Sequence, residues 1–169
     1  DRCQMEGWVS FDAAQDILAL AGQNVSIFGD ARSQDFKAIP LGIDLSVSFT
    51  NSIKRSVSQN VIATYPGSEH PDETIILTAH WDHLGVGKAV DGDSIFNGAV
   101  DNASGTACLL EIAKAFAQSK LPVKRSVTFL AVTAEEQGLL GSAWYAENPI
   151  YAPSKTVANI NMDALNPNG

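Results

Sequence analysis

The feature that most constrains this chain is an alternation that begins at residue 74. Short apolar runs give way to stretches of helical period, and back again. Residues 74 to 79 (T-I-I-L-T-A) and 126 to 133 (S-V-T-F-L-A-V-T) are apolar on both faces of a two-residue period. That pattern predicts strands covered on both sides, with 74 to 79 central in its sheet. Residues 156 to 162 (T-V-A-N-I-N-M) predict a third strand. Between these runs, residues 104 to 117 place Cys108, Leu109, Ile112 and Phe116 on one helical face, with Ser104 as candidate cap. Residues 139 to 147 predict a second helix, stopped before Pro149. Strand, helix, strand, helix, strand implies an α/β three-layer sandwich with a largely parallel mixed sheet.

Upstream the pattern is looser. Ser10 precedes F-D-A-A-Q-D-I-L-A-L-A-G, which reads as an amphipathic helix with Ala14, Ile17, Leu18 and Ala21 in its stripe and Gly22 as its stop. Leu41, Ile43, Leu45, Val47 and Phe49 alternate with polar or small residues, the signature of a half-buried strand. Residues 60 to 65 (N-V-I-A-T-Y) predict a further strand closed by Pro66-Gly67. Residues 1 to 57 are read as a helix and strand leading into a domain that occupies 58 to 169.

At 169 residues the chain has length for one domain with a real core. No run of eighteen apolar residues exists, so no membrane span is expected. A formal net charge of −8 argues against a nucleic-acid partner, whose phosphates need a basic surface. Two cysteines, Cys3 and Cys108, set no disulfide framework, and neither has thiolate zinc spacing. Cys108 reads as a small core residue. Asp1 opens no visible signal peptide, which says nothing of location.

The residues able to do chemistry cluster after predicted strands. His80 and Asp82 follow the run ending at Ala79, Glu135 and Glu136 follow the run ending near Thr133, and Asp163 follows Met162. Asp101 stands in a glycine-bounded loop before a helix. In open α/β sheets ligands bind outside the carboxyl ends of strands, so three strands deliver polar groups to one rim. Taken singly, each has an ordinary reading: a satisfied histidine, a solvated acidic pair, a turn or cap aspartate. An adjacent carboxylate such as Asp82 can hold the second ring nitrogen of His80 and raise its basicity. His83 reads as a neighbouring pocket residue and His70 as loop. Carboxylates with imidazole suit zinc, cobalt or manganese.

The motifs T-A-H-W-D-H-L-G, F-N-G-A-V-D-N-A-S-G-T-A, T-A-E-E-Q-G-L-L-G-S and N-I-N-M-D, in that order, resemble those of the co-catalytic zinc peptidase family. That family contains bacterial leucyl aminopeptidases, glutamate carboxypeptidases and glutaminyl cyclases. The resemblance covers residues 58 to 166 and implies a zinc-exopeptidase-like fold. It also implies two Zn2+ ions, with His80 and Asp163 on one, Glu136 on the other and Asp101 bridging. Glu135 would then be the general base, and Asp82 would orient His80. The implied reaction is hydrolysis of N-terminal peptide bonds, by a water bridged between zincs about 3.5–4 Å apart. An aminopeptidase is favoured by the H-W-D-H-L-G-V-G form. A carboxypeptidase, a single-zinc glutaminyl cyclase and a non-catalytic binding module are the alternatives.

One departure shapes the expectations further. The family completes its second metal with a histidine from a loop beyond Asp163, and no histidine follows Asp163 here. His83 looks like a poor substitute, leaving the same strand end three residues after His80. The chain is therefore read as the front part of a larger enzyme, truncated on its C-terminal side and weak or inactive alone, with the His80 site filling first. A sheet cut short predicts edge-strand pairing or a homodimer. Resemblance also implies a peptide substrate and an extracellular or periplasmic location.

Overall fold

The computed structural model describes residues 7–119 and 122–166. Cys3 therefore lies outside the described residues. The chain divides into two compact units, Asp1–Lys54 and Arg55–Gly169.

In the first unit, α1 (Phe11–Leu20) forms where the apolar stripe predicts it. Ser10 is extended, and its side-chain oxygen accepts from the Ala13 N–H, satisfying a donor that has no partner inside the helix. Gly22 takes φ +68°, a left-handed stop that costs glycine nothing. Leu18 is buried, and the Phe11 ring tilts against Phe28 of α2, a single turn at Ile27–Asp30. The strand expected over 41 to 49 does not form: these residues join no sheet, and Leu45 and Phe49 are 72% and 76% exposed. Alternation supplies a face, but a strand also needs a neighbouring backbone to take its N–H and C=O groups.

In the second unit the elements run β1 (Val61–Tyr65), β2 (His70–His80), β3 (Gly85–Val90), β4 (Asp93–Phe96), a kinked helical entry at Ala99–Ser104, α3 (Gly105–Ser119), β5 (Arg125–Val132), α4 (Leu140–Glu147) and β6 (Thr156–Asn161). The main sheet has the order β1-β5-β2-β6. β5, β2 and β6 are parallel and β1 is antiparallel to β5, so the sheet is mixed and largely parallel, with β2 inside it.

Period-two alternation sends neighbouring residues to opposite faces. Leu77, Ala79, Val127 and Phe129 meet Leu109 of α3 and Met162, with Cys108, Ile112 and Phe116 packed alongside. Phe116 stands edge-on between Tyr65 and Phe129, with centroids 5.6 and 5.8 Å away. Ile76, Leu130 and Val132 turn the other way and meet Tyr145 of α4. Full burial of side chains like these contributes roughly 1.5–3 kcal/mol each, so the two clusters decide whether this unit folds. Buried hydroxyls are paired rather than stranded: Thr74 and Thr128 bond at 2.9 Å.

Two details differ from expectation. Ser104 is not the cap of α3; the Asn102 side-chain oxygen accepts from the Gly105 N–H, while Ser104 Oγ donates to Val100 O. The β3–β4 hairpin was not anticipated. Its turn residues Asp91 and Gly92 take φ +51° and +89°, the double left-handed geometry of a tight hairpin turn.

The parallel register positions the chemistry. His80 pairs with Val132, and Thr78 pairs with Asn161. Two residues further along each strand direction, Asp163 comes level with His80, and Glu135 lies just beyond the end of β5. All three strands thus end at one rim.

Candidate metal centre

His80 is the centre of the rim and is 3% exposed. Its Nδ1 bonds the Asp82 backbone carbonyl at 3.0 Å. A carbonyl can only accept, so Nδ1 carries the hydrogen and the Nε2 lone pair faces outward. That lone pair meets Asp101 Oδ1 at 3.0 Å, Asp163 Oδ1 at 3.2 Å and Glu135 Oε2 at 3.9 Å. Thr106 Oγ1 donates to the His80 carbonyl at 2.9 Å, tying the strand end to α3.

Asp82 acts differently from expectation. Its carboxylate stands 3.7 Å from His80 Nδ1, and the hydrogen bond goes to its main-chain oxygen instead. The carboxylate oxygens accept from the backbone N–H groups of Glu135 (3.0 Å) and Glu136 (3.4 Å). Asp82 therefore holds the histidine with its backbone and the glutamate turn with its side chain.

His83 also departs from expectation. Residues after β2 leave the sheet and turn, bringing His83 Nδ1 to 2.7 Å from Glu136 Oε1. Sequence proximity to His80 does not keep His83 away from the acidic groups, because the chain turns after β2 and carries its ring to Glu136. Two three-residue groups share Asp101: His80, Asp101 and Asp163, and His83, Asp101 and Glu136, with ligand atoms within 4.8 Å in each. His80, Glu135 and Glu136 form a third such group.

Asn102 has a part that the sequence did not signal. It is 2% exposed, donates to Met162 O at 3.0 Å and accepts from Ala164 N–H at 3.2 Å. It thereby clamps the loop carrying Asp163 to the one carrying Asp101. In the sequence it reads as a cap or turn residue, which its bond from the Gly105 N–H fits, while the clamp partners lie some sixty positions away.

The electrostatics favour a cation. Burial pushes the His80 imidazole down, but the Asp82 carbonyl and the Asp163, Glu135 and Asp82 charges outweigh it, and the net shift is upward. Glu135 is raised, first by desolvation and then by Asp163, Glu136 and Asp101, with His80 opposing. Ligand atoms about 2.0–2.1 Å from a tetrahedral zinc lie roughly 3.3 Å from one another. The 3.0 and 3.2 Å separations around His80 Nε2 match that spacing. A lone pair facing two carboxylates at these distances needs a shared positive charge, so the donor set fits a divalent cation. Beside it, Thr78, His80, Glu135, Leu139, Asn161 and Asp163 line a cavity of about 320 Å³.

A protein of Pyrenophora teres f. teres described as a probable zinc metalloprotease is 40% identical over 105 residues, 62% of this chain and 22% of that protein. The aminopeptidase NAALADL1 of Mus musculus is 31% identical over 171 residues, 92% of this chain and 22% of its own. The solved structure of a leucine aminopeptidase precursor from Bacteroides thetaiotaomicron aligns with a TM-score of 0.51 at 27% identity, over 63% of this chain and 42% of that one. The chain spans about a fifth of the length of these curated relatives. Residues 60–169 match the model of Peptidase family M28, more than half of the chain, and the chain belongs to that family.

Proposed function

We propose that this chain carries the catalytic rim of a zinc-dependent exopeptidase that removes residues from the N-terminus of peptides. The observation behind this reading is the ring of Asp101, Asp163 and Glu135 oxygens within 3.9 Å of His80 Nε2. Support also comes from relatives whose names describe aminopeptidases and a probable zinc metalloprotease.

His80 and Asp163 would hold one zinc, Glu136 a second, and Asp101 would serve both. Bound there, zinc supplies Lewis acidity toward a water and toward the scissile carbonyl. The remaining work falls to Glu135. Raised above the usual carboxylate range, it is suited to take a proton from water and return it to the leaving amine. Asp82 anchors the backbone of that residue by accepting from the Glu135 N–H. The cavity beside His80 and Leu139 would take the substrate's terminal residue.

Glu135→Gln tests the division of roles within the acidic pair. Hydrolysis of leucine p-nitroanilide is expected to fall by about 100-fold or more, with bound zinc unchanged. Loss of zinc from this variant would make Glu135 a ligand and reverse the pair. The zinc readout decides the point even where turnover of the chain is slow. Cleavage of amino-terminally blocked peptides at their carboxyl end would overturn the aminopeptidase reading.

A further inference from the structure

Three of four consecutive residues at the end of β2 reach the candidate centre, each in a different way. His80 turns its Nε2 toward Asp101 and Asp163. Asp82 accepts from the backbone N–H groups of Glu135 and Glu136. His83 meets a side chain instead: its Nδ1 stands 2.7 Å from Glu136 Oε1. An ionised carboxylate only accepts, so the hydrogen lies on Nδ1 and His83 donates. The side chains are 23% and 17% exposed, which limits competition from water for that bond.

Glu136 is therefore held at both ends, its backbone by Asp82 and its carboxylate by His83. The imidazole is held in turn. Gly98 takes φ +63°, and a side chain there would meet His83 Cγ at 2.8 Å and Cβ at 2.9 Å, so only glycine lets the ring pack against that loop. His83 lines a cavity of about 300 Å³ with Trp81, Asn97, Gly98 and Leu110, and that cavity shares no lining residue with the one beside His80. It thus supports Glu136 without lining the space proposed for substrate.

We propose that His83 is a positioning residue: its Nδ1–H orients the Glu136 carboxylate for the cation that Glu136 would hold, and His83 itself is no ligand. This rests on the proposed function, which makes Glu136 a zinc ligand. A glutamate free to rotate loses that freedom when it takes up a metal, and a hydrogen bond already made removes part of the loss. A carboxylate has lone pairs enough to accept one N–H and still donate to a metal. Supporting bonds of this kind typically carry about 10–100-fold in metal affinity.

Zinc affinity of the metal-free protein, measured by competition with a chelating dye, tests the proposal on the zinc whose binding Glu136→Ala weakens. His83→Ala is expected to weaken that zinc by about 10–100-fold, and His83→Asn, whose side-chain N–H stands in for Nδ1–H, by less than about 3-fold. With Glu136→Ala already present, His83→Ala is expected to add less than about 3-fold, because its partner is gone. No loss from His83→Ala, an equal loss in both backgrounds, or failure of His83→Asn to restore affinity would overturn the proposal and leave the proposed function standing. Unchanged zinc binding in Glu136→Ala would remove Glu136 from the ligands, and both would fail.

A measurement on the unsubstituted protein guards against a folding defect in the variants. In 15N-histidine-labelled protein, His83 Nδ1 is expected to keep its proton in the metal-free and the zinc-loaded states alike. Replacement of that proton by zinc would make His83 a ligand, and a proton on Nε2 alone would leave no donor toward Glu136. Either result overturns the proposal.

Discussion

Residues 7–54 and residues 55–166 use apolar side chains in contrasting ways. In the first stretch Leu18 is the one buried hydrophobic residue among those described, while Leu45, Phe49 and Ile53 are more than 70% exposed. In the second, Ile76, Leu77, Leu109, Phe129 and Leu130 all fall below 9% exposure. Both stretches contain runs of strand period. The difference is that β5 has a partner backbone on each side, whereas residues 41 to 49 have none. A hydrophobic face becomes structure only when another element closes over it.

This contrast can be broken by substitution. Phe129→Ala empties the middle of the α3 face and is expected to lower stability by about 3–5 kcal/mol, read as a shift in urea midpoint. A loss below 1 kcal/mol would mean that the second unit is not organised around that cluster. Asn102→Ala strands Met162 O and the Gly105 and Ala164 N–H groups, an expected loss of about 1–3 kcal/mol. Zinc affinity should fall with it, because the Asp101 and Asp163 loops come apart; unchanged affinity would separate the clamp from the centre. Leu45→Ser, on the exposed alternating run, is expected to move the midpoint by no more than about 0.5 kcal/mol. A larger effect would show that this stretch is covered after all, and the contrast would close.

How much could be read from sequence follows from the range of each interaction. The strands ending at His80, Val132 and Asn161 were legible because burial on both faces leaves continuous apolar runs. Convergence of His80, Glu135 and Asp163 followed, since parallel strands end on one side. The β3–β4 hairpin escaped because its Val86, Val90 and Ile95 face solvent; the Asp91-Gly92 pair was the available signal. Asn102 reads as a cap or turn and Asp82 as a partner of His80, and both readings hold locally, but neither conveys how far each residue reaches. Each acts through backbone groups some fifty to sixty residues away, which no local pattern encodes. His83 was set aside on spacing alone, although the turn after β2 brings it to Glu136.

Asp101 carries a consequence of its own. One carboxylate lies within reach of both His80 and the His83–Glu136 pair. Two positions that share a ligand are thermodynamically linked, and whatever orients that carboxylate for one changes the free energy of occupying the other by an equal amount in both directions. On the proposed two-zinc reading, loading of the centre would be a cooperative event governed by one side chain. Its half-exposed position lets solution conditions reach that point of control directly.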